Sequence, residues 1–228
     1  MSDAHTIRSG SLTATIKAQG AEMCSLRNED GIEFVWQAEP AWPRHAPLLF
    51  PIVGRLANDE LRHRGKTYRM TQHGFARDSR FAWGARDENG CTLVLEDSEA
   101  TRERYPFAFR LTATYAIDAA GLDLSLTIAN TGQETLPASL GGHPAFNWPL
   151  QPGVPKEAYA LAFASAEPFP VGRLDGGLLR AARSPVRSAA RCFPCPNPCS
   201  PTTPSSSITS TAIRSTMQPG RALPRGIG

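Results

Sequence analysis

The sequence predicts an all-β protein: a large antiparallel β-sandwich or closed barrel folded as one domain. Three observations predict it. Strand-like segments recur every eight to twelve residues, apolar and polar residues alternate within them, and helical periodicity is nearly absent. At 228 residues the chain is long enough to bury a sizeable core. Its hydrophobic content of 41% and charged content of 20% are those of an ordinary globular protein.

The elements follow in order. SLTATIKA (11–18) sets Leu12, Ala14 and Ile16 on one face against Thr13, Thr15 and Lys17, the two-residue period of a half-buried strand. IEFVWQ (32–37), KTYRM (66–70), SRFAWGARD (79–87) and CTLVLED (91–97) are shorter strand candidates, and ELRHRGKTY reads as an exposed hairpin carrying His63. The single helical possibility is a turn around Ala100 to Tyr105, stopped by Pro106. FAFRLTATYAI (107–117) aligns Phe107, Phe109, Leu111, Ala113, Tyr115 and Ile117 on one face. GLDLSLTIAN (121–130) does the same with Leu122, Leu124, Leu126 and Ile128, and the tight connection from Asp118 to Gly121 pairs the two as a hairpin. AYALAFA (158–164) is the last convincing strand, and PVGRLDGGLLRAARSP (170–185) reads as a loop.

From about residue 184 the pattern stops. All 21 acids lie in residues 1–175 with 17 Lys and Arg, a sum of −4, whereas residues 176–228 hold seven Arg and no acid, a sum of +7. Those last residues also hold eight Pro and eight Ser. Such a composition buries too little apolar surface to offset chain entropy, so two regions are expected: a β-domain over 1–183 and a disordered tail over 184–228. A slip of the reading frame near 183–187 in GC-rich DNA would give this tail, and is the origin its composition favours.

No apolar stretch follows the polar start MSDAHTIRSG, and no run approaches 18 apolar residues, so neither a secretory signal nor a membrane span is expected. Five cysteines without a signal fit a reducing cytoplasm. Cys192, Cys195 and Cys199 have metal-like spacing but no fourth ligand follows, so no metal is expected. Seven arginines without lysine or interleaved aromatics give no nucleic-acid signature.

Three segments depart from plain strand composition. RHAPLLFPIVGRLAND (44–59) places Arg55 after Gly54, QHGFARD (72–78) places His73 against a glycine, and LGGHPAFN (140–147) places His143 between a glycine pair and Pro144. Each presents a donor or titratable group where glycine or proline bends the chain at a strand end. Arg55 also has a purely structural reading, an ion pair with Asp59 or Glu60.

HAPLLFPIVGRL, QHGFARD followed by Trp83, and GGHPAFNWPL together resemble the aldose 1-epimerase (galactose mutarotase) family over residues 5–183. The resemblance implies a galactose mutarotase-like supersandwich with a sugar cleft on one sheet. It also implies interconversion of the α and β anomers of free aldoses, without metal or cofactor. On that resemblance His143 matches the general acid, Arg55 and His73 match groups that hold the sugar, and Phe146, Phe75 and Trp83 are candidates for an aromatic floor. Proton transfer near neutral pH is work suited to histidine. The family's general base is a glutamate near its C-terminus in an E-P-W-like segment. Here the last acid is Asp175, so impaired catalysis is expected. The alternatives are a non-catalytic carbohydrate-binding sandwich and a hexose-6-phosphate 1-epimerase. The latter needs a cationic cluster, for which Arg44, Arg55 and Arg77 are the available residues. The oligomeric state is left open.

Overall fold

The alternating segments do become strands. The computed structural model describes residues 3–162, 171–184, 192–194 and 212–215, and it is built from antiparallel strands with very little helix. In chain order the elements are β1 (Ala4–Ser9), β2 (Leu12–Lys17), β3 (Glu22–Arg27), β4 (Leu48–Leu49), β5 (Glu60–His63), β6 (Lys66–Arg69), β7 (Ala82–Arg86) and β8 (Gly90–Glu96). After a helical turn, α1 (Glu99–Arg102), come β9 (Phe109–Asp118), β10 (Gly121–Asn130), β11 (Gly141–Gly142), β12 (Ala160–Ala162), β13 (Val171–Asp175), β14 (Leu178–Ser184), β15 (Cys192–Pro194) and β16 (Ala212–Ser215).

Two sheets form the sandwich. One has the order β1-β2-β3 and the other β16-β10-β9-β8-β7, with β1 and β2 lying against β8 and β9. In β9 every second residue, from Phe109 to Ile117, is buried, as the two-residue period requires. β10 follows the expected face, with Leu122 and Leu126 buried and Leu124 and Ile128 packed at the margin. The β9–β10 hairpin is in register from Asp118↔Gly121 to Phe109↔Asn130. Asp118 fastens its turn by accepting the N–H groups of Ala120 and Gly121.

The helix α1 is a capped turn. Ser98 and Thr101 exchange side-chain-to-backbone hydrogen bonds, a reciprocal cap that offsets the weakness of so short a helix. β5 and β6 pair as the expected hairpin.

Three expectations change. IEFVWQ is not a regular strand: Glu33 and Val35 make isolated bridges to Arg27 and Phe146, and the Glu33 carboxylate takes up the N–H groups of Leu26 and Val35. The stretch read as a loop at 170–185 is the β13–β14 hairpin, which exposes Leu174, Leu178 and Leu179 at 58%, 38% and 54%. Within the expected tail, β15 pairs with β12 and β16 with the edge of β10. The remainder of 185–228 lies outside the described residues, including Cys195 and Cys199. No helix among the described residues is long and apolar enough to cross a membrane.

Candidate functional site

Two of the three bent segments are laid against each other by backbone pairing. The proline-broken run contributes buried β4, then a cis Phe50–Pro51 peptide. Phe50 O accepts from the N–H groups of both Phe75 and Ala76, at 2.9 and 3.1 Å, and Phe50 bridges Gly74 in parallel. Gly74 has φ +70°, and a Cβ there would overlap the Phe50 carbonyl, so no other residue fits. Phe75 is 2% exposed and packs with Phe50, Tyr105 and Phe109, so it belongs to the core and not to a cleft floor. Burial of each such ring is worth about 2–3 kcal/mol.

His73 precedes Gly74 with φ +67°, a left-handed conformation that strains a side-chain-bearing residue. It is held by a double clasp: its N–H donates to Gly54 O at 2.8 Å, and its Nδ1 accepts from Gly54 N–H at 3.0 Å. Because Gly54 N–H can only donate, Nδ1 carries no proton and the neutral ring is protonated at Nε2. Burial, then the charges of Arg77, His143 and Arg44, lower the His73 pKa from 6.5 to about 4. At neutral pH the residue is therefore an uncharged donor through Nε2–H.

The third segment joins the first. β11 pairs with β4, His143 N–H donates to Pro47 O at 3.0 Å, and Ala145 N–H donates to His45 O at 2.9 Å. The His143 ring lies 5.3 Å from that of Trp42, tilted by 36°, and 6.4 Å from that of His73. Its Nδ1 is buried and has no hydrogen-bond partner among the described residues. Asn147 locks the far end, its amide donating to Glu33 O and Val35 O. Phe146, half-buried, bridges Val35 beside it.

Arg55 is placed otherwise. Its side chain is 45% exposed, and its guanidinium makes a two-point pair with Asp59, at 2.7 and 3.1 Å, which raises the Arg55 pKa and lowers that of Asp59. The structural reading of Arg55 is thus the one its contacts display. The turn of the β13–β14 hairpin leans on it, since a Cβ at Gly177 would lie 3.3 Å from Arg55 Cδ. Trp83 sits on edge strand β7, its ring under Arg86 and edge-on to His5, and makes no ring contact with either site histidine.

Residue reading missed Trp42, whose ring supports His143. Its signal was an unassigned aromatic two residues ahead of RHAPLLFP. Of the three arginines available for a cationic cluster, Arg44 and Arg77 both reach Asp78, at 2.9 and 3.6 Å, and Arg77 Nε is buried without a hydrogen-bond partner. Two concavities lie away from these histidines. One, of about 220 Å³, is lined by residues including Phe107, Asn130 and Glu134; the other, of about 710 Å³, by residues including Trp83, Glu96 and Arg110.

The sandwich thus brings two histidines together on bent strand ends. The chain belongs to the aldose 1-epimerase family, whose model matches residues 3–187. The LacX proteins of Lactococcus lactis subsp. lactis, plasmid and chromosomal, are 34% identical over 163 residues, covering 68% of this chain and 54% of theirs. A galactose mutarotase related enzyme from Lactobacillus acidophilus superposes with a TM-score of 0.78 at 36% identity, over 84% of this chain and 65% of its own. A galactose mutarotase-like protein from Lactobacillus casei superposes with a TM-score of 0.77 at 31% identity, over 84% and 67%. The chain therefore spans about half the length of the curated relatives it matches.

Proposed function

We propose that this chain acts on a free aldose as a 1-epimerase, with His143 as general acid and His73 as a neutral hydrogen-bond donor to the sugar. The observation that carries it is the pair itself: a His73 ring whose tautomer Gly54 fixes, 6.4 Å from a His143 ring whose Nδ1 has no partner. In the reaction His143 gives a proton to the ring oxygen while a base removes the C1 hydroxyl proton. The C1–O bond breaks to the open aldehyde, the C1–C2 bond rotates, and closure on the other face returns both protons. Arg55 and Phe146 are assigned to the rim of the site, Arg55 reaching the sugar only by sharing or leaving Asp59.

Among the described residues no carboxylate hydrogen-bonds to either histidine ring, and on this reading catalysis is slower than a complete acid–base pair allows. The test is polarimetry starting from pure α-D-glucose and α-D-galactose. A rate above solvent, reduced about 10²–10⁴-fold in His143→Asn with sugar binding retained, supports the assignment. Saturable binding without acceleration would instead identify a carbohydrate-binding sandwich.

One observation favours a second reading. Arg44 and Arg77 share the single carboxylate of Asp78 beside His73, leaving an excess of positive charge suited to a phosphorylated aldose. On this reading glucose 6-phosphate has a lower KM than glucose, and Arg77→Ala removes the difference.

A further inference from the structure

Glu22 is a buried charge that the reaction above leaves unused. It opens β3, is 5% exposed, and its two oxygens have separate tasks. Oε1 accepts the N–H groups of His45 and Ala46, at 2.9 and 3.0 Å, while Oε2 faces Lys17 Nζ at 2.6 Å. A carboxylate tolerates such burial only when its oxygens are satisfied in this way.

What Glu22 grips is the segment on which the chain bearing His143 is laid. Residues 45–49 receive the segment 141–145 through Gly141↔Leu49, Gly142↔Leu48, His143 N–H to Pro47 O and Ala145 N–H to His45 O. The backbone on both sides of the His143 ring therefore hangs from a segment whose first two amides Glu22 holds. The other side of Glu22 is anchored to the core. Tyr115, buried in β9, donates its hydroxyl proton to Ala21 O at 2.9 Å. Gly20 N–H donates to Ser79 O and Phe81 N–H to Ala18 O, which ties the same turn to the chain just past His73.

We propose that Glu22 is a positioning residue: it sets the height of the His143 ring over Trp42 and its approach to His73. Its bearing on the reaction rests on His143 being the acid. Without Oε1, two amides lose their acceptor, the 45–49 segment loosens, and the acid is offset from the sugar while His73 and its Gly54 clasp stay in place.

The experiment compares Glu22→Gln, Glu22→Asp and Glu22→Ala in the full chain. The readout is the His143 ring proton resonance, identified by its absence in His143→Asn and displaced by the Trp42 ring current. Gln keeps an oxygen for both amides, and Lys17, 31% exposed, can turn to water. Glu22→Gln is therefore expected to hold the wild-type shift. Glu22→Ala should move the resonance toward that of an unstacked histidine, with Glu22→Asp between. A folded Glu22→Ala protein whose His143 resonance is unmoved overturns the proposal; if that variant does not fold, an unmoved resonance in Glu22→Asp does so. Where the wild type accelerates mutarotation, kcat should follow the same order with KM constant within about twofold, as expected for an interaction realised in the transition state. A wild type that does not accelerate it, with a resonance that still follows residue 22, removes the epimerase reading and keeps the positioning role.

Discussion

His73 shows how one backbone contact decides a side chain's chemistry. The Gly54 N–H forces Nδ1 to accept, and burial together with Arg77 and Arg44 holds the ring neutral. The pH consequence follows from the direction of that shift. The folded chain takes up its His73 proton near pH 4 and the unfolded chain near 6.5, so between these values the unfolded state binds more protons. Stability from His73 is thus complete above about pH 6.5, falls as the pH drops through this window, and levels off below about 4. His45, also lowered first by burial, contributes in the same direction. Urea midpoints measured between pH 7.5 and 4 should fall less steeply in His73→Asn than in the wild type. Asparagine tolerates the positive φ, so the variant isolates the titration. Identical pH dependence in the two proteins would remove His73 from this account.

At the scale of elements, the site depends on one parallel bridge and one short antiparallel pair. The bridge between Phe50 and Gly74 admits no side chain at residue 74. Gly74→Ala should therefore lower stability by at least the roughly 1–3 kcal/mol of a strained left-handed residue, before any cost of the overlap. Phe75→Ala opens a core cavity and should cost about 3–5 kcal/mol, whereas Trp83→Ala on the edge strand should cost clearly less. Chemical denaturation of the three variants checks both claims, and equal losses for Phe75 and Trp83 would contradict the placement of Phe75 in the core. These elements also mark what a sequence can disclose. β9 and β10 were legible because two-residue burial is written in their side chains. β4 and β11 were not, since two-residue strands have no period to read. β13–β14 was taken for a loop because its glycines and arginines hide a hairpin whose leucines face solvent. The candidate histidines were singled out through motif resemblance. Their meeting, and the stacking of His143 on Trp42, depend on contacts between segments about 70–100 residues apart that no local pattern records.

At the scale of the whole molecule the proposed reaction calls for a base as well as an acid. The family fold brings a histidine pair together, yet among the described residues no carboxylate hydrogen-bonds to the His143 or His73 ring. Three acids of the described chain are engaged elsewhere: Asp59 by Arg55, Asp78 by Arg44, and Glu22 by Lys17 and two backbone amides. On the proposed reading, with His143 as the acid, a small carboxylate from solution can take the role of the base. With acetate or formate added at constant pH and ionic strength, the protein-dependent part of the mutarotation rate should rise with carboxylate concentration and saturate. A single general base is worth about 10²–10⁴-fold when positioned, and a diffusing one recovers only a fraction of that. His143→Asn should abolish the rise, since the added base then has no acid to work with. Chloride at equal ionic strength should leave the rate unchanged, which separates base supply from screening. A protein-dependent rate that ignores carboxylate but still needs His143 would mean that solvent water or a group within this chain already acts as the base.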